Sequence, residues 1–306
     1  MKQTGIIIVI ILMCNCTNIS KTHDNVRKLV TTDWLEKNLN DTSLILFYIG
    51  SEAGFDSIHI PNSNYISVWD MLINTDELRN EFQSIHVLDS ILEMHGVNNH
   101  SQIVLYHENE KMLIWVARIF VTLDYLGLGS NTAIVNGGLK KWLKEQKAVT
   151  TEVVNKPKSK LDVKINPATN VNHDFVKTII NNPNYFVMDA HPADIFAGLF
   201  DTIENKYSGG HINGAVNLPF SNLLVDSLPY LFKNDTELLK EFENIGVNSN
   251  QTIIHQCGSG ILASVNYLIS KHLGYKSMFY DGGTEEWEKL NLPLIRTADS
   301  INRKQD

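Results

Sequence analysis

The residue best placed to do chemistry is Cys257, which follows an apolar strand and opens a glycine-rich turn. Its surroundings read TIIHQCGSGILASVNYLISKHLG: a strand ending at Gln256, then Cys257-Gly258-Ser259-Gly260, then a helix expected to begin near Ile261. Glycines in such a strand–loop–helix turn let successive backbone N–H groups converge on one point. The helix N-terminus adds positive potential at the same place. Both effects stabilise a sulfur anion, and they are expected to bring the thiol from about 8.5 toward about 3.5–7.5. A buried, inert cysteine after a core strand is the commoner occurrence in general. The Gly-Ser-Gly cradle at the strand's C-terminal end favours the reactive reading here.

The elements that must hold this turn are written twice in the chain. The first copy runs from Leu29 to about Gln146 and the second from His173 to about Leu294. HIPNSNYI from His59 aligns with HINGAVNLP from His211, and MHGVNNHSQIVLY with ENIGVNSNQTIIHQ, Val97 against Val247. YLGLGSNTAIVNGGLKKW aligns with HLGYKSMFYDGGTEEW, Trp142 against Trp287. The matches are collinear, as a duplication makes them. LILFYIG, SQIVLYH and TAIVN read as buried strands of the first copy; YFVMDA, GAVNL, TIIHQ and SMFYD read as those of the second. Helical stretches follow, among them residues 112–125 and 259–272. Strand–helix alternation predicts an α/β fold in each copy, a mostly parallel sheet with helices on both faces.

The boundaries expected are a leader over 1–20, a first domain over 27–148, a linker over 149–170, a second domain over 171–296 and a tail over 297–306. The linker, TTEVVNKPKSKLDVKINPATN, is polar and rich in Lys, Thr and Pro, and is expected to lie across both domains. A chain of 306 residues that is 43% hydrophobic can fill two cores without disulfides. The net charge of −8, with no stripe of Lys and Arg, argues against nucleic acid as a partner.

In the leader, Lys2 precedes an apolar run over residues 6–13, then Cys14, Asn15 and Cys16. The run is too short to span a bilayer but suits a signal-peptide core. A cysteine ending such a run resembles the lipid acceptor of bacterial lipoproteins, and Cys14 and Cys16 are both candidates. Export to the cell envelope, in the periplasm or on a lipid anchor, is the expectation, with no other membrane contact. Cys257 is then left without a partner, and a lone thiol in an exported protein is a candidate for reactivity.

The Cys257 segment resembles the active-site loop of the tandem-domain rhodanese sulfurtransferases. Their mercaptopyruvate branch carries Cys-Gly-Ser-Gly-Val-Thr-Ala where this chain has Cys-Gly-Ser-Gly-Ile-Leu-Ala. The thiosulfate branch usually has Arg-Lys after the cysteine, so Gly258-Ser259 points to the mercaptopyruvate type. YDGGTEEW over 280–287 is similar to the family's Tyr-Asp-Gly-Ser-Trp-x-Glu-Trp, with Thr284 where a Trp is usual. GHINGAVNLPF from Gly210 is similar to Gly-His-Ile-Pro-Gly-Ala, with Asn213 for Pro. The resemblance implies a sulfurtransferase that moves a sulfane sulfur from a small anionic donor, through a Cys257 persulfide, to a thiol, cyanide or protein acceptor, without metal or organic cofactor. It implies that Gly258, Gly260, Ile261 and Leu262 line the donor site, and that Ser259 and His59 assist proton transfer. For Ser259 a helix cap is an equal alternative; for His59 a turn residue is slightly favoured. His211 and Asp189 are expected to be structural. The first copy, with VLYHENEKMLIWVAR in place of the loop, is expected to be silent.

One part of the family pattern is missing. The family grips its donor with two arginines between its first second-domain strand and the Gly-His-Ile motif; a gapless alignment puts Ile195 and Glu204 there. Lys206 is the only cation of that stretch and the remaining candidate for donor binding. Losing a charge-assisted contact costs about 1.5–3 kcal/mol, which leaves a non-enzymatic binding or sulfur-carrier module as the alternative. The Cys-x5-Arg phosphatases are excluded, because the sixth residue after Cys257 is Ala263.

Overall fold

The computed structural model describes residues 27–199, 209–227 and 230–297. In the first domain, strands β1 (Leu29–Val30), β2 (Leu44–Ile49) and β3 (Ser63–Tyr65) are followed by a ribbon of β4 (Leu72–Ile73) and β5 (Glu81–Phe82). Strands β6 (Gln102–His107) and β7 (Thr132–Val135) complete it. The second domain has β8 (Asn170–Val171), β9 (Tyr185–Asp189), β10 (His211–Ile212), β11 (Val216–Asn217), β12 (Thr252–Gln256), β13 (Lys276–Tyr280) and β14 (Leu294–Ile295).

The duplication reappears as topology. The first sheet runs β1-β7-β6-β2-β3 and the second, in the matching direction, β8-β13-β12-β9-β11. Every pairing within these two sheets is parallel. Parallel strands covered by helices on both faces must be apolar throughout, which is why all six residues of β2 are buried. The other pairs, β4 with β5 and β10 with β14, are short antiparallel ribbons.

The helix Leu113–Tyr125 lies between its own sheet and the other domain. Ten of its residues are buried, as expected of a helix apolar on nearly every side. It packs against the helix Ile261–His272, and residues of both belong to one hydrophobic cluster that runs through the junction of the domains. Separate clusters fill the outer face of each sheet. The linker follows the first domain and then reaches the second. The Ser159 N–H donates to the Glu93 carbonyl (2.9 Å) and that of Asn166 to Tyr125 (2.8 Å), while the Thr169 carbonyl accepts from Phe279 (2.8 Å).

Candidate active site

Cys257 sits where β12 gives way to the helix Ile261–His272, and it is 2% exposed. Gly260 reverses the chain at φ 78°, and the amides of Ser259, Leu262 and Ala263 face the sulfur, Ala263 N–H at 3.4 Å from Sγ. The neighbouring carbonyls are drawn the other way. Thr284 and Glu285, in the first turn of the helix Gly283–Lys289, donate their N–H groups to the carbonyls of Cys257 (2.8 Å) and Gly258 (3.1 Å). The Gly-Gly of YDGGTEEW therefore has a backbone function: it brings a helix N-terminus under the loop, so that the loop's N–H groups are left for the sulfur.

The charge state differs from the expectation. Burial pushes the Cys257 thiol up to about 11, and the Asp189 carboxylate adds to the rise; the three amides pull against both. The resting group is a thiol, because the cradle lies in a desolvated position that the sequence pattern does not reveal. Asp189 is fully buried below the loop. It accepts from Gln256 Nε2 (2.5 Å) and from the His191 N–H (2.9 Å), and Asn217 donates to its carbonyl (3.1 Å). It ties β9, β11 and β12 together at their C-terminal ends.

His59 does not meet Ser259. Its ring is buried, with Nδ1 2.7 Å from the Phe55 carbonyl and Nε2 3.1 Å from that of Glu152, and it stacks on Phe55 at 3.9 Å. His211 repeats the arrangement, with Nδ1 2.8 Å from the Phe196 carbonyl and the ring 3.8 Å from that of Phe196. The two histidines brace the turns before β3 and β11, an arrangement that supports the turn role weighed for His59 over the proton-transfer one. Nor is Ser259 the cap of the helix, a place taken by Gly260. Instead its Oγ accepts from Asn80 Nδ2 of the first domain (3.0 Å).

Two more first-domain residues reach the second domain, at the segment that underlies the loop. Arg79 pairs with Glu285 at 3.1 Å, and the fully buried Arg118 pairs with Asp281 at 2.7 Å while lying 4.3 Å over the Phe82 ring. Burial raises Asp281, with Arg118 opposing. Glu81 beside them is pushed up to about 8, by burial first and then by the Asp281 carboxylate. Sequence reasoning missed Asn80, Glu81, Arg118, Asp281 and the Ala263 amide. Arg118 carried a legible signal: one arginine in LIWVARIFVTLDY must find a partner if that helix is buried.

The first domain holds the same turn without the thiol. His107 stands at the position of Cys257, and a Cβ on Gly138 would lie 2.6 Å from its carbonyl oxygen, as one on Gly283 would lie 2.2 Å from that of Cys257. Both glycines have positive φ, 52° and 55°. Burial drives the His107 imidazole down to about 4, so it is neutral. Glu108 then occupies the loop, its carboxylate accepting from the Ser51 N–H (2.9 Å).

Ile261 is buried and Leu262 partly buried, while Gly258 and Gly260 shape the turn. Cys14, Cys16, Glu204 and Lys206 lie outside the described residues. At the junction of the domains a cavity of about 460 Å³ is lined by Lys111, Leu113 and Ile114 on one side and Phe220, Leu224 and Tyr230 on the other.

The Rhodanese-like domain profile matches residues 31–145 and 172–290. The chain is 26% identical over 285 residues to the sulfur carrier protein TtuD of Thermus thermophilus, covering 88% of this chain and 96% of that protein. It is 25% identical over 277 residues to the 3-mercaptopyruvate sulfurtransferase of Escherichia coli, covering 87% and 96%. The crystal structure of SseA from Escherichia coli superposes with a TM-score of 0.71 at 24% identity, over 84% of this chain and 98% of that one.

Proposed function

We propose, for a chain that belongs to the Rhodanese-like domain family and is a sulfurtransferase, that Cys257 carries the transferred sulfur as a persulfide. The observation that carries this reading is the convergence of the Ser259, Leu262 and Ala263 amides on the sulfur of Cys257, the free cysteine among the described residues. The Cys257 thiolate attacks the sulfane sulfur of the donor. A bond from Sγ to that sulfur forms as the bond to the leaving group breaks, and the electron pair departs with it. With thiosulfate the leaving group is sulfite. With 3-mercaptopyruvate it is the enolate of pyruvate, which takes up the proton of the donor thiol. The outer sulfur, now the anion, lies against the amide cradle; an acceptor thiolate or cyanide then attacks it and releases the Cys257 thiolate. A high pKa leaves little thiolate at neutral pH but makes that fraction more nucleophilic.

The Gly258-Ser259 pair supports 3-mercaptopyruvate over thiosulfate as donor, and a thiol or protein supports the second half-reaction as acceptor. Intact mass after incubation with either donor tests the reading: one added sulfur atom on the wild type and none on Cys257→Ser. Unchanged turnover in Cys257→Ser would overturn it. Export and lipid attachment at Cys14 or Cys16 remain proposals resting on the apolar run over residues 6–13. An acylated N-terminal cysteine or a cleaved N-terminus in native protein supports them; an intact Met1 in a cytoplasmic fraction contradicts them.

A further inference from the structure

Asn80 belongs to the domain that has no thiol, yet its side chain reaches the catalytic loop while its backbone is held at two points in its own domain. Its backbone is in the left-handed region at φ 59°, and the residue is 8% exposed. Its N–H donates to Asn74 Oδ1 (2.9 Å), and its carbonyl accepts from Arg118 Nη2 (2.6 Å). Arg118 is fixed in turn by Asp281 at 2.7 Å and by the Phe82 ring. The backbone of Asn80 is therefore anchored independently of its side chain. That side chain crosses to the second domain, where Nδ2 donates to Ser259 Oγ at 3.0 Å.

A serine hydroxyl has one proton to give and two lone pairs to accept with. The Asn80 amide fills a lone pair, so the Ser259 proton is left free to be donated. Ser259 is two residues beyond Cys257 and its backbone N–H faces Sγ, so its hydroxyl belongs to the loop on which sulfur anion develops. We propose that Asn80 is a positioning residue that fixes Ser259 as a hydrogen-bond donor to the anion held at Cys257. The silent domain thus sets the polarity of a group in the active loop. This rests on the reading that Cys257 carries the sulfur.

Two substitutions separate this role from simple packing. Asn80→Gly keeps the positive φ and the carbonyl for Arg118 but removes the amide. Asn80→Asp keeps the shape and tolerates the left-handed backbone, but it can only accept from Ser259 and so draws the hydroxyl proton away. The measurement is the single-turnover rate of sulfur uptake from thiosulfate or 3-mercaptopyruvate, read by intact mass, beside alkylation of Cys257 by neutral iodoacetamide. Asn80→Asp and Asn80→Gly are each expected to slow uptake by about tenfold or more, the size of one hydrogen bond to a charged group. In the Ser259→Ala background either change is expected to add less than about twofold, because the two residues act as one unit. Alkylation should change less than about twofold in all variants. Uptake at the wild-type rate in Asn80→Asp, effects that multiply with Ser259→Ala, or equal loss of alkylation would each overturn the inference. No sulfur on the wild type would instead overturn the reading of Cys257, and this inference with it.

Discussion

Gly283 stands so close to Cys257 that a Cβ on it would lie 2.2 Å from the Cys257 carbonyl oxygen. Its φ of 55° compounds the demand for glycine, because a side chain in this region costs about 1–2 kcal/mol even where there is room. The contact lets the helix Gly283–Lys289 take up the loop carbonyls from beneath, and so keeps the amides of Ser259, Leu262 and Ala263 turned toward the sulfur.

Gly283→Ala is therefore expected to cost about 2–3 kcal/mol and to abolish sulfur uptake even in the protein that remains folded. Gly138→Ala makes the matching clash at His107, in the silent domain, where the oxygen would be 2.6 Å away. It should cost similar stability while the folded fraction takes up sulfur within about twofold of the wild-type rate. Denaturant unfolding with single-turnover uptake on both variants checks the contrast; equal loss of uptake in the two would remove the special place of Gly283.

The second prediction concerns the thiol. Since burial raises Cys257 to about 11, alkylation of the resting protein should climb with pH without reaching a plateau below pH 10. A folded-state pKa above the unfolded one stabilises the protein fully below about 8.5, and that contribution is lost as pH rises through about 11. A plateau in alkylation near pH 6 would mean that the amides and the helix end outweigh desolvation.

This is also where sequence and structure part. The turn, its glycines and the helix after it were all legible, because each is a local pattern: an apolar run, a break and a periodic stretch. The duplication was legible because it repeats such patterns in order, and the two sheets follow it strand for strand. Burial of Cys257 was not, since it depends on what the rest of the fold lays over the loop. The contacts of Asn80, Arg79 and Arg118 with the second domain span large separations in sequence and leave no periodic trace. The surroundings of His59 were not legible for a related reason. The motif places that histidine at a turn, but only the tertiary structure shows both ring nitrogens against backbone carbonyls.

The third prediction uses Glu81. Its folded-state pKa of about 8 lies above the ordinary 4.5, so the protonated carboxyl favours the folded state. That contribution is complete below about pH 4.5 and is lost as pH rises through about 8. His107 and His255, which burial drives down to about 4 and about 3, act in the opposite direction as pH rises toward their unfolded range. The raw stability profile therefore mixes both. The difference between wild type and Glu81→Gln isolates the carboxyl: the glutamine variant should gain relative to the wild type as pH is raised from 5 to 8. Urea unfolding across that range checks it, and parallel profiles would show that Glu81 titrates normally in the folded protein.

The last prediction concerns the missing cations. Ile195 lies in the short helix Ala193–Phe196, and its carbonyl accepts from the N–H groups of Gly198 (3.0 Å) and Gly210 (2.8 Å). The backbone there is held without help from the half-buried side chain, so an arginine can be introduced without undoing the turn. With Ile195 and Glu204 aligned, without gaps, to the arginines of the resembling enzymes, small anionic donors should bind weakly and show a high KM. Repulsion from one carboxylate is modest in water, whereas a missing guanidinium removes charge-assisted hydrogen bonds to the donor. Ile195→Arg combined with Glu204→Arg is expected to raise kcat/KM for 3-mercaptopyruvate by at least about tenfold, corresponding to about 1.4 kcal/mol of transition-state binding. The gain should shrink as salt rises, since charge supplies it. Efficient turnover by the wild type with no gain from the double change would show that another group, such as Lys206, holds the donor.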